Sequence, residues 1–536
     1  MSQKIDLIIH NANIYTFDSV QPHAEALAIA DGRIIAAGSV SDIRSLDGAN
    51  AARETLNLKG ATLIPGLNDS HTHFAWWSLI MQELKLAGIN SLNKALELVA
   101  ERAEVTPVGA WLQGQGWDKN LWGDEFPNRM LLDRVAPLHP IALMSKDAHL
   151  LWVNTIALQL AGITRDTPEV EGGEITRDAQ GEPTGILKEN AMRLVHRVIP
   201  EPTIEQAEAA IEMALPEAHR TGLTAVHSIE DATGFAAFQN LRAQGKLSLR
   251  TAVLLGNWAI PHLQALGLRQ GFGDEMLWLA QIKFFLDGTL GSQTAAMFEP
   301  FDNSPDHRHD NCGMFRMDSE AFERQARQAI RSGFGIAVHV IGDRAAHLGL
   351  DVIEKMQREE NSGRLRNRLE HVQIVTPQDL LRFAASRIIA SCQPTHATTD
   401  RDAAERYWGY ERAARSYQYR TLLHSGVPIA LGSDVPVESI DPRKGIFAAV
   451  SRRREGENRP AFFAQECLTV GEAIKGFTYG AAYAAGDEQR RGRIAPGMLA
   501  DLTALAQDIF VTPEDEIPQT PVVATLVGGS PVYLSL

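Results

Sequence analysis

Cysteine is scarce in this chain of 536 residues, which has only Cys312, Cys392 and Cys467. The three lie far apart in the sequence, so they indicate neither a disulfide framework nor a CxxC metal or redox motif. Each is better explained as a small buried hydrophobic residue. The cysteines therefore predict no part of a functional site.

Long hydrophobic runs and excess basic charge are also missing. No uninterrupted apolar run reaches the roughly 18 residues that a membrane-spanning helix needs, and the amino terminus does not resemble a secretory signal. The formal net charge is −15, from 51 Lys and Arg against 66 Asp and Glu. Because nucleic acids and anionic membranes attract basic surfaces, neither is expected as a partner. We therefore expect a cytoplasmic protein.

Both ends of the chain carry short apolar segments separated by tight turns, such as Ala26–Ala30 and Pro521–Val527. Such segments are typical of strands joined by hairpins. Because these β-rich ends enclose a different middle, they predict one small β-sandwich domain built from residues 1–60 and 487–536.

The middle of the chain, residues 61–486, alternates short apolar segments with helical stretches. The segments are rich in Val, Ile, Leu and Phe, which is typical of parallel strands covered on both faces. Eight candidate strands are Thr62–Leu67, Thr224–Ile229, Arg250–Leu255, Ala280–Leu286, Gly335–Val340, Arg368–Val372, Ile388–Cys392 and Pro428–Leu431. This alternation predicts an α/β fold, a (β/α)₈ TIM-type barrel.

The stretch between the first two candidate strands is too long for one barrel loop. It runs from about Phe74 to Gly222 and contains both helical and strand-like sequence. We interpret residues 79–220 as a large inserted lobe after strand one. It is expected to cover the barrel mouth and to shape substrate specificity.

Two histidines, His71 and His73, follow the first candidate strand in the sequence PGLNDSHTHF. In an extended segment, residues two apart point the same way, so both imidazoles can face one metal ion. Alone this HxH motif is weak, because histidine pairs also occur on ordinary surfaces.

Three further candidates lie near the ends of later strands: His339, His371 and Asp434. Singly, the histidines could be hydrogen-bonded core residues, and the aspartate could cap a helix. The carboxyl ends of barrel strands converge on one mouth, however, so these residues become neighbours of the HxH pair. Four histidines and a carboxylate at one level predict a metal site.

Lys283 lies among apolar residues in the fourth candidate strand. An ammonium group cannot ligate a metal ion, and its burial without a partner is costly. Two explanations remain open: an ion pair with the nearby Asp287, or reaction with CO₂ to give a carbamate that bridges two metal ions.

The chain resembles the amidohydrolase superfamily, and within it the YtcJ-like branch that includes N-substituted formamide deformylases. The resemblance spans essentially the whole chain. It is carried by GLNDSHTHF, KDAHLLWVN, IKFFLDGTLGSQTA, VHVIGDRA, LEHVQ, LGSDVPV and GRIAPGMLADL.

The resemblance implies a set of metal ligands at the strand ends. These are His71 and His73 after strand one, an N6-carboxylated Lys283 on strand four, His339 on strand five, His371 on strand six and Asp434 on strand eight. It implies one or two divalent metal ions per chain. Imidazole and carboxylate ligands suit zinc, although nickel, iron and manganese remain open.

The implied reaction is hydrolysis of an amide-type C–N bond, in an N-substituted formamide or a related small amide, by metal-activated water. Asp434 would take the proton of that water and pass it to the leaving group, and His371 could donate a hydrogen bond to the oxyanion. A deaminase would usually show HxxE after strand five, but Gly342 stands three residues beyond His339. Ester or carbamate hydrolysis stays open. A non-catalytic interaction protein is disfavoured, because every expected ligand position is filled.

Substrate-binding candidates are weaker. Trp117, Asp118 and His149 in the inserted lobe mix aromatic faces with polar groups, which suits a pocket, but packing and helix capping explain Trp117 and Asp118 equally well. Asp287, after strand four, is a fourth candidate. If the enzyme forms an oligomer, a homodimer is the default expectation.

Overall fold

The computed structural model of the protein describes residues 4–49, 52–123, 126–146, 149–170, 172–303 and 310–536. These residues form two compact units. The first comprises Met1–Ser78 and Ala207–Leu536, and the second comprises Leu79–Gln206.

Eight parallel strands in the first unit form a barrel. Their bounds are Leu67–Thr72, Leu223–Glu230, Arg250–Gly256, Leu277–Phe285, Ile336–Val340, Arg368–His371, Ile389–Cys392 and Ile429–Leu431. Each strand pairs with the next in chain order. Two backbone hydrogen bonds close the ring: Asp434 N–H donates to His71 O at 2.8 Å, and His73 N–H donates to Val435 O at 2.9 Å. The predicted (β/α)₈ barrel is confirmed.

The first barrel strand is not the predicted one. Thr62–Pro65 instead pairs antiparallel with Leu502–Leu505 in a sheet formed by the chain termini. The barrel strand is the next segment, Leu67–Thr72, in which every residue is buried although most are polar. The prediction of strand one was wrong because it relied on apolar composition. This strand buries hydrogen-bonding side chains rather than hydrophobic ones. Gly66 connects the strands Thr62–Pro65 and Leu67–Thr72, which belong to different sheets. Only glycine fits there, because a Cβ would lie 2.3 Å from Thr224 Oγ1.

Helices follow the barrel strands and pack apolar faces inward. In Ser319–Arg331, for example, Asp318 caps the amino end. The buried residues Phe322, Ala326, Ala329 and Ile330 have the spacing of one helix face. The helices that lie wholly or partly in this unit are Val40–Arg44, Phe74–Met81, Ile204–Arg220, Ala232–Ala243, Ile260–Leu266, Ser319–Arg331, Asp343–Glu359, Pro377–Ser386, Pro394–Thr399, Arg401–Tyr407, Gly409–Ala413, Tyr419–His424, Pro442–Ser451, Val470–Lys475 and Ala481–Ala485.

Strands from both chain termini share a second, eight-stranded sheet in the first unit. They are Leu7–Tyr15, His23–Ala30, Arg33–Gly38, Glu54–Asn57, Thr62–Pro65, Leu502–Leu505, Val522–Val527 and Ser530–Leu534. Their inner side chains form one apolar core, in which Ile9, Leu27, Leu63, Leu502 and Leu526 are almost fully buried. Strands from the two ends of the chain thus share one sheet and one apolar core.

The unit Leu79–Gln206 is the large insertion after barrel strand one. Its six-stranded sheet contains Leu84–Lys85, Leu112–Trp117, Ile141–Ser145, Leu150–Val153, Gly173–Arg177 and Pro183–Glu189. Its helices are Leu92–Val105, Arg129–Val135, Thr155–Leu160 and Arg193–His196. Across both units, none of the described helices has the length and apolar character needed to cross a membrane.

Candidate metal centre

Five predicted ligands lie together at the carboxyl ends of the barrel strands. His71 lies near the end of strand one, with His73 just after it, and His339 and His371 lie at the ends of strands five and six. Asp434 follows strand eight and is hydrogen-bonded through its backbone to His71. Barrel closure therefore brings the first and last members of the set side by side.

The carboxylate of Asp434 joins the two histidines of the HxH motif. Its Oδ1 lies 3.4 Å from His71 Nε2 and 3.5 Å from His73 Nε2. Ligand atoms of His71, His371 and Asp434 all lie within 4.8 Å of one another. Two atoms bound to one tetrahedral zinc ion are about 3.4 Å apart, as the usual bond lengths of about 2.0–2.2 Å require. These residues therefore fit a divalent metal ion in both chemistry and spacing.

Burial favours the neutral form of His71 and His339, whereas the surrounding histidine rings favour the charged form of Asp434. Burial, assisted by the positive charge of Lys283, lowers the pKa of His71 to about 4 and that of His339 to about 3. Burial would raise the pKa of Asp434, but the neighbouring histidines, His71 foremost, hold it well below its usual value. Neutral imidazoles and an ionised carboxylate are the forms that bind metal ions.

Two site residues have strained backbones. His371 has φ of 72° and Asp434 has φ of 63°, in the left-handed region that residues with a Cβ seldom adopt. Such conformations cost about 1–3 kcal/mol each and cluster at functional sites. The fold therefore holds both side chains in directions that an unstrained strand end would not give.

Each of three site histidines is anchored through one ring nitrogen. His71 Nδ1 lies 2.5 Å from Glu370 Oε2, His371 Nδ1 lies 2.8 Å from Gln393 Oε1, and His339 Nε2–H donates to a backbone carbonyl, Gly288 O, at 3.0 Å. Such outer partners fix the tautomer and leave the other nitrogen with a free lone pair. The anchoring thus prepares the three rings as ligands.

Glu370 belongs to a buried charged chain that sequence reasoning missed. Its Oε1 lies 2.6 Å from Arg368 Nε, and Arg368 Nη1–H donates to His227 Nδ1 at 3.0 Å. Burial raises the pKa of Glu370, but Arg368 and His71 outweigh burial and hold it well below its usual range. Arg368 and Glu370 lie two residues apart on strand six, which is buried throughout. Two charged residues in a segment predicted to be a buried strand are the signal that could have found them.

Lys283 is fully buried on strand four, and its Nζ makes no hydrogen bond with any described residue. Burial lowers its pKa to about 8. An ion pair with Asp287, one of the two explanations above, is not formed between these described residues. Asp287 instead accepts backbone N–H groups from Ala296, Ile341 and Gly342 at 2.8–3.1 Å.

Three of the four substrate-binding candidates lie in the unit Leu79–Gln206. Trp117 is fully buried in the core of the inserted unit, where its Nε1–H donates to Leu143 O at 2.8 Å. It exposes no surface to a ligand, so we leave it out of the proposed site. Asp118 is half-buried in the same unit, and the exposed His149 lies 2.8 Å from Glu189 Oε1 through its Nδ1.

Asp287 lies beside the metal-ligand cluster at the barrel mouth, 3.6 Å from His339 Nε2. Its three backbone hydrogen bonds make it a support for the loops after strands four and five.

One further residue of the cluster, His396, was not predicted. It lies just beyond strand seven, 3.6 Å from Asp434, and its position after a strand end is the same signal that identified His339 and His371.

Comparison with known proteins places the chain in a family. The sequence model of the amidohydrolase family matches residues 54–533. This chain belongs to the amidohydrolase family. A relative in Bacillus subtilis (strain 168), putative amidohydrolase YtcJ, is 33% identical over 98% of this chain and 99% of its own length. The N-substituted formamide deformylase of Arthrobacter pascens is 28% identical over 99% of this chain and 98% of its own length.

Among solved structures, an uncharacterized metal-dependent hydrolase from Pyrococcus furiosus superposes on this amidohydrolase with a TM-score of 0.79. The two sequences are 26% identical, and the match covers 94% of this chain and 99% of the other. Membership of the family makes the chain a hydrolase, and the resemblance inferred from the sequence motifs is confirmed.

Proposed function

We propose that this amidohydrolase cleaves an amide-type C–N bond in a small molecule, an N-substituted formamide or a related amide, at a centre that holds one or two divalent metal ions. The observation that carries the proposal is the Asp434 carboxylate, held 3.4–3.5 Å from the Nε2 atoms of His71 and His73. The name of the Arthrobacter pascens relative supports the substrate class.

The ligand set is His71, His73, His339, His371 and Asp434, and zinc is the expected ion for such ligands. When bound, a divalent ion supplies a Lewis acid that polarises the scissile carbonyl group and makes a water molecule more acidic. Metal-dependent hydrolysis is also the activity named for the Pyrococcus furiosus structure.

Asp434 is the proposed proton carrier. Because its pKa is held well below the usual value, it is ionised at neutral pH and can accept a proton from the attacking water. Returning that proton to the leaving nitrogen expels the amine and regenerates the carboxylate.

His371 is better assigned to the ligands than to the oxyanion donors. Its Nδ1 is engaged by Gln393 Oε1, and a neutral imidazole has only one N–H. The Nε2 atom therefore offers a lone pair, which suits a metal ion and cannot donate to an oxyanion.

Lys283 is the proposed site of N-carboxylation. A pKa near 8 leaves a substantial fraction of its amine neutral at physiological pH. The neutral amine can add to CO₂, releasing one proton and giving a carbamate whose two oxygens could join two metal ions. The buried Nζ without a described hydrogen-bond partner supports this assignment.

The test combines metal analysis with hydrolysis assays on N-butylformamide, N-phenylformamide and the matching esters. We expect wild type to contain one or two metal ions per chain and to release amine. Asp434→Asn should lose nearly all activity. Asp400→Asn is the control, since this aspartate accepts hydrogen bonds from Tyr417 and Gln373 outside the ligand set.

Lys283→Ala should reduce the metal content from two ions per chain to one or fewer if the carbamate bridges two ions. A single ion in both proteins would contradict the bridging role. No metal in wild type after reconstitution, or full activity in Asp434→Asn, would overturn the proposed function.

A further inference from the structure

His396 is a buried histidine of the barrel mouth without an assigned role. It lies on the short helix Pro394–Thr399 after strand seven and is 7% exposed. Its ring is nearly parallel to that of His371, with an interplanar angle of 18° and a centroid distance of 5.8 Å. The fold thus places it against a proposed metal ligand.

Neither ring nitrogen of His396 makes a hydrogen bond within the described part of the chain. This distinguishes it from His71, His339 and His371, each of which has one nitrogen anchored by the protein. Leaving a buried polar group without a partner destabilises the folded protein, and metal-bound histidines almost always carry an anchored second nitrogen. The ring is therefore suited to a partner that arrives with the substrate rather than to the metal ion.

The two oxygens of Asp434 face different neighbours. Oδ1 faces the HxH histidines, whereas Oδ2 lies 3.6 Å from His396 Nε2 and 3.9 Å from His371 Nδ1. A separation of 3.6 Å is too long for a hydrogen bond between Asp434 and His396. A proton acceptor and a hydrogen-bond donor thus border the same space.

We propose that His396 contacts the substrate directly, with its ring N–H donating to the carbonyl oxygen of the bound amide while Asp434 receives the proton of the attacking water. This inference rests on the proposed function and adds the donor that His371 cannot supply. It makes His396 a catalytic residue, because its hydrogen bond strengthens as negative charge develops on that oxygen. Removing one such donor typically lowers kcat by about 10²–10³-fold.

The experiment compares metal-loaded wild type with His396→Leu and His396→Gln. Leucine removes the donor, whereas glutamine keeps an N–H group at a similar distance from the backbone. Thr398→Val is the matched control, since it removes a hydroxyl that bonds Thr395 O on the same helix. The readouts are metal ions per chain, kcat and KM on N-butylformamide, and calorimetric binding of methylphosphonate, a tetrahedral oxyanion.

We expect His396→Leu to retain the wild-type metal content, to lose about 10²–10³-fold in kcat and to bind methylphosphonate at least about tenfold more weakly. His396→Gln should recover part of both losses, and Thr398→Val should behave as wild type. Loss of metal from both His396 variants would make the residue a ligand and overturn the proposal, as would unchanged methylphosphonate affinity in His396→Leu. If wild type hydrolyses no amide, the proposed function fails, and the methylphosphonate titration still decides whether His396 binds an oxyanion.

Discussion

Replacing Glu370 by glutamine tests the buried chain behind the metal centre. The exchange keeps the size of the side chain but removes the negative charge that lies 2.5 Å from His71 Nδ1 and 2.6 Å from Arg368 Nε. All three side chains are almost completely buried. Breaking a buried ion pair by removing one partner costs about 3–5 kcal/mol, because the remaining charge is left uncompensated. We expect a loss of unfolding free energy of that size.

The same exchange should weaken metal binding. A carboxylate that accepts the Nδ1–H of a ligand histidine fixes its tautomer and raises its basicity, and loss of such a partner typically costs 10–100-fold in metal affinity. That range corresponds to about 1.4–2.8 kcal/mol of binding free energy. Glutamine can still accept the hydrogen bond, so the lower part of the range is expected.

The assay is competition for zinc against a chromophoric chelator, with thermal unfolding of the metal-free proteins in parallel. The double variant Arg368→Met/Glu370→Gln removes both buried charges, so it should recover stability without recovering metal affinity. Glu354→Gln, which breaks an ion pair with Arg382 near the surface, is the control. Wild-type zinc affinity in Glu370→Gln would refute the reasoning, as would parallel recovery of stability and affinity in the double variant.

Three further outcomes follow from the structure. Removal of metal by a chelator should lower the thermal midpoint, because an ion at 1,000 times its Kd stabilises the folded state by about 4 kcal/mol; an unchanged midpoint would argue against a bound ion. Burial raises the pKa of Glu230 from 4.5 to about 7, so folding favours its protonated form, and the stability from this group is present below pH 4.5 and lost as pH rises through about 7. Glu230→Gln should therefore gain up to about 3 kcal/mol over wild type between pH 4.5 and pH 8 in urea unfolding, and a pH-independent difference would contradict this. Gly432→Ala should lower both metal content and thermal midpoint, because the added Cβ would lie 2.5 Å from Asp69 Oδ1 and 2.6 Å from His71 N; wild-type values for both would show that strand one can shift without harm.

Much of the architecture was predictable from local sequence. Seven of the eight barrel strands share three or more residues with the apolar segments identified in the sequence, whereas the first shares only Leu67. Burial on both faces favours apolar residues in a strand. The exception, Leu67–Thr72, is buried but polar. Its polar side chains bond to backbone groups, as where Asp69 Oδ1 accepts the backbone N–H groups of His71 and Ser433. Composition alone cannot reveal such a strand.

The candidate metal centre was likewise predictable in part from the sequence. Position after a strand end was enough to nominate His71, His73, His339, His371 and Asp434, since every parallel barrel directs those ends to one mouth. The pairing of His71 with Glu370, 299 residues away in sequence, could not be predicted from positions at strand ends. The short distance between His396 and Asp434 could not be predicted either.

Residue types and their spacing along the chain determined the fold class and the identity of the ligand candidates, because hydrophobic periodicity and strand ends are local features. Barrel closure and strand register decided which side chains anchor those ligands, which nitrogen each histidine leaves free, and which buried histidine has no anchor. Those features depend on distances of a few ångströms between segments that are remote in sequence. Only the folded chain sets those distances.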